Sequence, residues 1–223
     1  LPICLAEELT ARLAADGWSV AWGRCHDDEG APALWSIGSV LRSLGAPTID
    51  DLAGVTRDDS PWRLYAAIAD ELVRVAGGRP VCVVIDDLHW ADTGALRFLT
   101  FLATEVRAAP LLVVCTFRTT EPFPSDDTVA SLTRTPGAVR IALDGLSVAD
   151  VTAFVSNASG QQVTEEVATG IHDRTGGNPF FIGELTRLLT SERRLRDATD
   201  APAEVPASVR DVVRALRGRY RVT

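Results

Sequence analysis

The sequence predicts an α/β fold in which a doubly wound parallel sheet is followed by a small helical lid. Short apolar runs that are typical of buried strands alternate with segments of helical periodicity up to about residue 145. The run at 81–85 is apolar throughout and rich in β-branched residues, which favours a strand covered on both faces. From Leu146 onwards the patterns are helical only. With 223 residues and 46% apolar content, the chain is long enough to bury a core.

The predicted elements follow one another in the order that a parallel sheet requires. Strands are predicted at Ser19–Trp22, Val81–Ile85, Leu111–Phe117 and Val139–Leu143. Helices are predicted in the core at 5–15, 33–44, 62–76 and 93–106, and in the lid at 148–156, 164–175 and 179–191. The segment after the lid is polar and rich in Ala, Pro and Asp, which is typical of a linker. The predicted domains are therefore a core at 1–145, a lid at 146–192, a linker at 193–207 and the start of a further helical domain at 208–223.

Local signals support the boundaries of these elements. Gly17 ends the first helical pattern, and the Gly77-Gly78 turn precedes the strand at 81–85. Asp92 or Thr93 is the expected N-cap of the helix that follows that strand. The last predicted strand is entered from a Pro-Gly turn at 136–137.

Composition excludes several classes of function. A net charge of −8 argues against a surface for nucleic acid or anionic lipid, so no direct nucleic-acid contact is expected. No apolar run approaches the roughly 18 residues that a membrane helix needs, and the start lacks a signal-peptide pattern. A cytoplasmic protein is therefore predicted. The cysteines are widely spaced without a C-x-x-C pair and are predicted to be buried thiols: Cys4, Cys25, Cys82 and Cys115.

The main candidate site is an acidic pair, Asp86 and Asp87, that directly follows the apolar run. Parallel strands present ligand residues at their carboxyl ends, whereas the structural alternative for this pair is a simple helix-capping turn. His89 lies close by, and packing is favoured over acid-base catalysis for it. His26 and the acids at 27–29 are predicted to be a solvated loop and not a metal cluster.

Segment 81–92 has the sequence VCVVIDDLHWAD and resembles the Walker B segment of STAND-type ATPases, in particular of large LuxR-type transcriptional regulators and related AAA-like ATPases. Other segments agree in order and spacing: DRTGGNPFF at 173–181, CTFR at 115–118, and WGRC at 22–25 followed by GAPALW at 30–35. The resemblance implies a P-loop NTPase-like fold with a helical lid.

The resemblance also implies roles for individual residues. Asp86 would bind Mg²⁺, and Asp87 would act as the general base that orients the attacking water. Arg118 matches the strand-end arginine that senses the terminal phosphate of ATP. An ion pair with Glu121 is the structural alternative for Arg118.

Asn178 and Pro179 belong to the turn that, in the family, lies against the base and ribose of the nucleotide. The structural alternative is that they only begin a helix. The family's phosphate loop ends in GKTRLAEEL, which would fall on Leu1–Leu9, where only the LAEEL half is present. The chain contains no Lys, so the lysine that grips phosphate is missing and ATP binding by these residues is predicted to be weak or absent.

The function predicted from these features is that of a regulatory switch module that binds ATP or ADP with Mg²⁺. It would control self-association or other protein domains, and through them transcription. Two alternatives remain at this point. One is a degenerate scaffold that no longer binds nucleotide, and the other is the same module attached to a kinase or cyclase output.

Overall fold

The computed structural model describes residues 2–27, 30, 32–56, 60–106, 108–118 and 126–192. The chain divides into two compact units, one of residues 2–141 and one that begins at residue 142. The predicted linker at 193–207 and the predicted helix after it lie outside the described residues.

The first unit alternates strands with helices. Its strands are β1 (Ser19–Arg24), β2 (Val81–Asp86) and β3 (Leu111–Cys115). Its helices are α1 (Pro2–Ala15), α2 (Trp35–Ser43), α3 (Ile49–Thr56), α4 (Pro61–Gly78), α5 (Thr93–Glu105) and α6 (Asp126–Arg134). The strands lie in the order β1-β2-β3, and both pairings are parallel. The predicted α/β class with a parallel sheet is confirmed.

The middle strand β2 is buried at every position. Its side chains alternate between two apolar clusters, because successive residues of a strand point to opposite faces. Val83 and Ile85 pack in a cluster with residues of α2, α4 and α5, whereas Val84 packs on the other face with Ala6 of α1. Helices therefore cover both faces of the sheet, which explains why every residue of β2 before Asp86 is apolar.

The prediction of a fourth strand at Val139–Leu143 is wrong. The backbone there forms neither helix nor strand, and Val139 and Ile141 are 82% and 70% exposed. Alternation of apolar residues predicts a strand only where a neighbour accepts its hydrogen bonds, and no strand of the described part of the chain pairs with this segment.

Two helices of the first unit, α3 and α6, were not predicted from the sequence. The start of α3 carries a local signal, since Thr48 and Asp51 exchange side-chain and backbone hydrogen bonds of 2.9 and 3.2 Å. This reciprocal pattern is a capping box, although the short helix that follows has little apolar periodicity to reveal it.

The four cysteines are free thiols, but they are not all buried as predicted. Cys4 is exposed on α1, and Cys115 is half-buried at the end of β3. Desolvation raises the pKa of Cys25 to about 11 and that of Cys115 to about 12. Both thiols are therefore neutral near pH 7 and poor nucleophiles.

The second unit consists of α7 (Val148–Ser159), α8 (Glu165–Thr175) and α9 (Pro179–Ser191) over its described residues. The helices pack around an apolar cluster that includes Val155, Ile171 and Ile182. Ser147 and Asp150 form a capping box at the start of α7, and Gly160 ends that helix in the left-handed conformation. Across the described residues of both units, no helix is long and apolar enough to span a membrane.

Candidate functional site

Three strand ends meet around the carboxylate of Asp86, the last residue of β2. Arg24 ends β1 and lies opposite Asp86 in the parallel register. Its Nε and Nη2 donate to Asp86 Oδ2 at 3.0 and 2.8 Å. From the other side, the Thr116 hydroxyl after β3 donates to Asp86 Oδ1 at 2.5 Å. Asp86 is only 3% exposed, and each of its oxygens accepts at least one hydrogen bond from a neighbouring strand end.

Asp87 begins the turn that leaves β2. Its backbone is left-handed with φ of 55°, a conformation that Asp adopts more readily than most residues. The turn is held by Thr116, whose hydroxyl accepts from the Asp87 amide at 3.1 Å and whose carbonyl accepts from the Leu88 amide at 2.8 Å. Thr116 therefore ties β3 both to the carboxylate of Asp86 and to the backbone of Asp87.

Burial raises the pKa of the Asp87 carboxyl, and the adjacent charge of Asp86 raises it further. His89, Arg118 and Arg24 act in the opposite direction, but the net direction is upwards. A carboxylate with a raised pKa is a stronger base than an exposed Asp, which is the property that a general base needs.

Aromatic and cationic side chains lie beside the acidic pair. The buried ring of His89 packs against the ring of Trp90, with 4.5 Å between their centroids. Nε2 of His89 lies 3.9 Å from Oδ1 of Asp87. The guanidinium carbon of Arg118 lies 5.7 Å from the centroid of the Trp90 ring, within the range of a cation–π contact. The structure therefore brings Asp86, Asp87 and Arg118 together, whereas Glu121 lies outside the described residues.

Asn178 and Pro179 lie in the second unit, where they start α9. The Asn178 side-chain oxygen accepts from the amides of Phe180 and Phe181 at 3.1 and 3.3 Å, and Pro179 occupies the first turn of the helix. These are the contacts of an N-cap followed by a favoured proline. Asn178 and Pro179 therefore have a structural role at the start of α9, and their contact with a nucleotide stays a prediction.

The glycines before Asn178 allow two backbones to approach closely. Gly176 and Gly177 both have positive φ, and the carbonyl of Gly177 accepts from the Leu146 amide at 2.7 Å. A Cβ atom on Gly177 would lie 2.5 Å from the carbonyl oxygen of Leu146. Only glycine fits there, so this part of the motif joins the entry of the second unit to α9.

The described residues do not present a ready site for Mg²⁺. Carboxylates are the ligands that Mg²⁺ prefers, but Arg24 and Thr116 already hold the two oxygens of Asp86. Within the described parts of the chain, no group of three or more His, Cys, Asp or Glu side chains is arranged to hold a metal ion. The predicted role of Asp86 as a metal ligand does not fit this arrangement of side chains.

Two residues of this site, Arg24 and Thr116, have no role that the sequence alone predicts. Arg24 belongs to the WGRC segment and Thr116 to CTFR. Each carries a local signal, since both are polar residues at the carboxyl ends of apolar strands. Their shared partner could not be predicted, because Arg24 and Thr116 are 62 and 30 residues away from Asp86 in sequence.

Two family models match parts of this chain. Residues 4–114 match the AAA ATPase domain family, and residues 160–204 match a domain of unknown function, DUF8739. Among solved structures, a mutant of Thermogota maritima RuvB is similar with a TM-score of 0.37 and 18% identity, over 63% of this chain and 55% of that chain. This chain thus spans little more than half the length of that RuvB chain. No curated protein matches the chain. Residues 4–114 contain both aspartates and all but the last residue of the sheet, and over these residues the chain is similar to the AAA ATPase domain family.

Proposed function

We propose that this chain is a nucleotide-binding regulatory module whose ligands are ATP and ADP. The observation that supports this most directly is the position of Asp86 and Asp87, at the carboxyl end of the buried middle strand of a parallel sheet. Ligands of open α/β sheets bind outside the carboxyl ends of the strands. The pair also lies within the residues that match the AAA ATPase domain family.

In this proposal Asp87 accepts a proton from the water that attacks the terminal phosphate. Two properties of the residue support the role. Its side chain is 13% exposed, and its raised pKa makes it a better proton acceptor than a solvated Asp. The hydrogen bond between its amide and Thr116 holds the turn, so the carboxylate is carried by a fixed backbone.

Arg118 is proposed to contact the terminal phosphate. The guanidinium group is permanently charged and can donate two parallel hydrogen bonds to phosphate oxygens. Its contact with the Trp90 ring holds it near the acidic pair, and its charge is one of those that lower the Asp87 pKa. For Asn178 and Pro179 we propose contact with the base and ribose, which rests on the resemblance of the TGGNPFF segment.

The regulatory part of the proposal also rests on sequence resemblance. The DDLHWAD and TGGNPFF segments resemble those of STAND-type ATPases in large LuxR-type regulators, and on this resemblance we propose that the module acts in signal-dependent control of transcription. Nucleotide binding would then change self-association or the contact with an attached output domain.

A second candidate is a protein-interaction scaffold that does not bind nucleotide. A specific observation favours it, namely that both oxygens of Asp86 are held by Arg24 and Thr116. The chain also has no Lys to grip a phosphate chain.

Calorimetric titration of the 223-residue chain with ATP and with ADP separates the two candidates. We expect weak but saturable binding, with a dissociation constant of roughly 1 mM. Arg118→Ala should weaken ATP binding at least tenfold. Arg12→Ala is the matched control, because Arg12 pairs with Glu8 on the exposed surface of α1 and should leave binding unchanged. A folded chain that releases no heat with either nucleotide at several millimolar would overturn the proposal in favour of the scaffold.

A further inference from the structure

A groove with a volume of about 440 Å³ lies between α1 and the outer edge of β1. Its apolar lining comes from both elements: Ile3, Ala11 and Ala14 of α1, and Val20 and Trp22 of β1. Every sheet residue that lines the groove belongs to β1, which is an outer strand of the described sheet. The groove therefore lies at the edge of the sheet and not over its middle.

The chemistry of the lining limits what the groove can hold. Glu7 and Arg24 also line it, but both are exposed and Arg24 is paired with Asp86. The hydroxyl of Thr10 is engaged as well, since it donates to the Glu7 carbonyl at 3.0 Å. A suitable occupant is therefore apolar where it faces α1.

The backbone of β1 presents an unpaired edge beside this groove. The amides of Ser19 and Cys25 donate to carbonyls at either end of β2 at 2.8 and 3.0 Å. Because alternate residues of a strand direct their backbone groups to opposite sides, those of Val20 and Trp22 point away from β2. Within the described residues, no hydrogen bond engages these outward groups. An edge of this kind can accept an added strand.

The same chain contains a strand-like segment without a neighbour. Residues 139–143 have apolar side chains at alternate positions, and no hydrogen bond between described residues engages their backbone. Val139 and Ile141 are 82% and 70% exposed. Arg140 lies between them, and its guanidinium carbon is 5.6 Å from the centroid of the Phe117 ring. Arg140 thus holds the segment beside Phe117, while the apolar side chains on either side of it stay in solvent.

The segment and the groove lie on opposite sides of the sheet. Phe117 follows β3, which is the outer strand on the far side of β2 from β1. While Arg140 keeps its contact with Phe117, the segment does not reach the groove of its own chain. A second copy of the chain can bring the two together.

We propose that residues 139–143 of one copy add to β1 of a second copy as a further strand. Val139 and Ile141 have the same two-residue spacing as Val20 and Trp22, so in a paired strand their side chains lie beside those of β1, in the groove. The segment gains the neighbour that its alternation requires, and the edge of β1 is covered. The contact is head-to-tail, because groove and segment are different surfaces. This inference goes beyond the proposed function and requires no nucleotide.

The first test measures binding of a fluorescent peptide with the sequence of residues 137–143 by fluorescence anisotropy. The full chain carries Ile141→Asp, so that its own segment does not compete, and we expect saturable binding. The same substitution in the peptide should weaken binding by about tenfold or more, because it removes the burial of an Ile side chain. Ala11→Arg in the chain fills the groove and should weaken binding by about as much. Ala15→Arg is the matched control, since this exposed residue of α1 does not line the groove.

Sedimentation equilibrium of the full chain tests the head-to-tail arrangement. The average mass of the wild type should rise with concentration, whereas Ile141→Asp and Ala11→Arg should each stay monomeric. An equimolar mixture of these two variants should form a dimer and nothing larger, because the mixture offers one intact groove and one intact segment. Both substituted side chains are exposed, so both variants are expected to fold, which circular dichroism checks.

The inference is overturned if the peptide does not bind saturably, or if Ala11→Arg and Ala15→Arg affect its binding equally. It is also overturned if the wild type stays monomeric up to millimolar concentration, or if either monomer variant associates as the wild type does. A mixture of the two variants that forms no dimer overturns it as well. None of these measurements contains ATP or ADP, so their failure leaves nucleotide binding to be decided by its own titration.

Discussion

Thr116→Val is the sharpest test of how this site is built. The substitution keeps the shape of the side chain and removes only the hydroxyl, at a position that is 6% exposed. It leaves Oδ1 of Asp86 without its 2.5 Å donor and the Asp87 amide without its 3.1 Å acceptor. A buried polar group left without a partner costs about 1–3 kcal/mol, and more when the group is charged. We therefore expect the free energy of unfolding to fall by about 3 kcal/mol or more.

Tryptophan fluorescence during urea unfolding is a suitable assay for this variant. All five tryptophans lie within residues 2–141, so the signal reports on the unit that contains the site. Thr116→Ser keeps the hydroxyl and should lose only about 1 kcal/mol for the missing methyl group. Thr100→Val is a second control, because its hydroxyl donates to the Leu96 carbonyl within α5 and its loss leaves no buried group unsatisfied.

The reasoning is refuted if Thr116→Val unfolds within about 0.5 kcal/mol of the wild type, the range usual for surface substitutions. It is also refuted if Thr116→Ser is as unstable as Thr116→Val. In that case the methyl group, and not the hydrogen bonds to Asp86 and Asp87, would hold the strand end in place.

Two further predictions concern Asp87 and Gly23. The pKa of Asp87 is raised above its ordinary value of about 3.8, so its buried charge lowers stability as the pH rises through that raised pKa. Asp87→Asn should therefore be more stable than the wild type at pH 7, and the difference should shrink as the pH falls towards 3.8; a pH-independent difference in urea midpoints would contradict this. A Cβ atom on Gly23 of β1 would lie 2.2 Å from the Ser36 carbonyl oxygen, so Gly23→Ala should cost at least about 1–3 kcal/mol by overpacking. Gly54→Ala, in open space on α3, should instead stabilise by up to about 1 kcal/mol, and equal effects of the two substitutions would disprove the steric argument.

Much of the core could be predicted from local sequence. The strand at 81–85 could be predicted because an apolar run of that length, rich in β-branched residues, is typical of a strand that is buried on both faces. Asp92 was an expected cap, and its side chain accepts from the Ala95 amide at the start of α5. Such features depend on contacts within a few residues, and their signals survive in the sequence.

The errors arose where a feature depends on a distant partner. The segment at 139–143 has the apolar alternation of a strand, but pairing requires a neighbouring backbone that the pattern cannot specify. The exposure of Cys4 has a similar cause, because the side of α1 that packs on the sheet is set by Ala6 and its contacts with β2. In both cases the local sequence did not determine whether the residues are buried or paired, because that depends on elements that are distant in sequence.

The sequence by itself determined the alternation of strands and helices, the buried middle strand and the acidic pair at its end. These features can be predicted because periodicity and apolar runs are patterns of residues that are close together in the sequence. Only the tertiary structure decided which side chains contact the acidic pair. The parallel register places Arg24 and Thr116 on the two oxygens of Asp86, although they are 62 and 30 residues away. An ion pair between strand ends depends on which strands become neighbours, and that choice is made by the packing of the whole sheet.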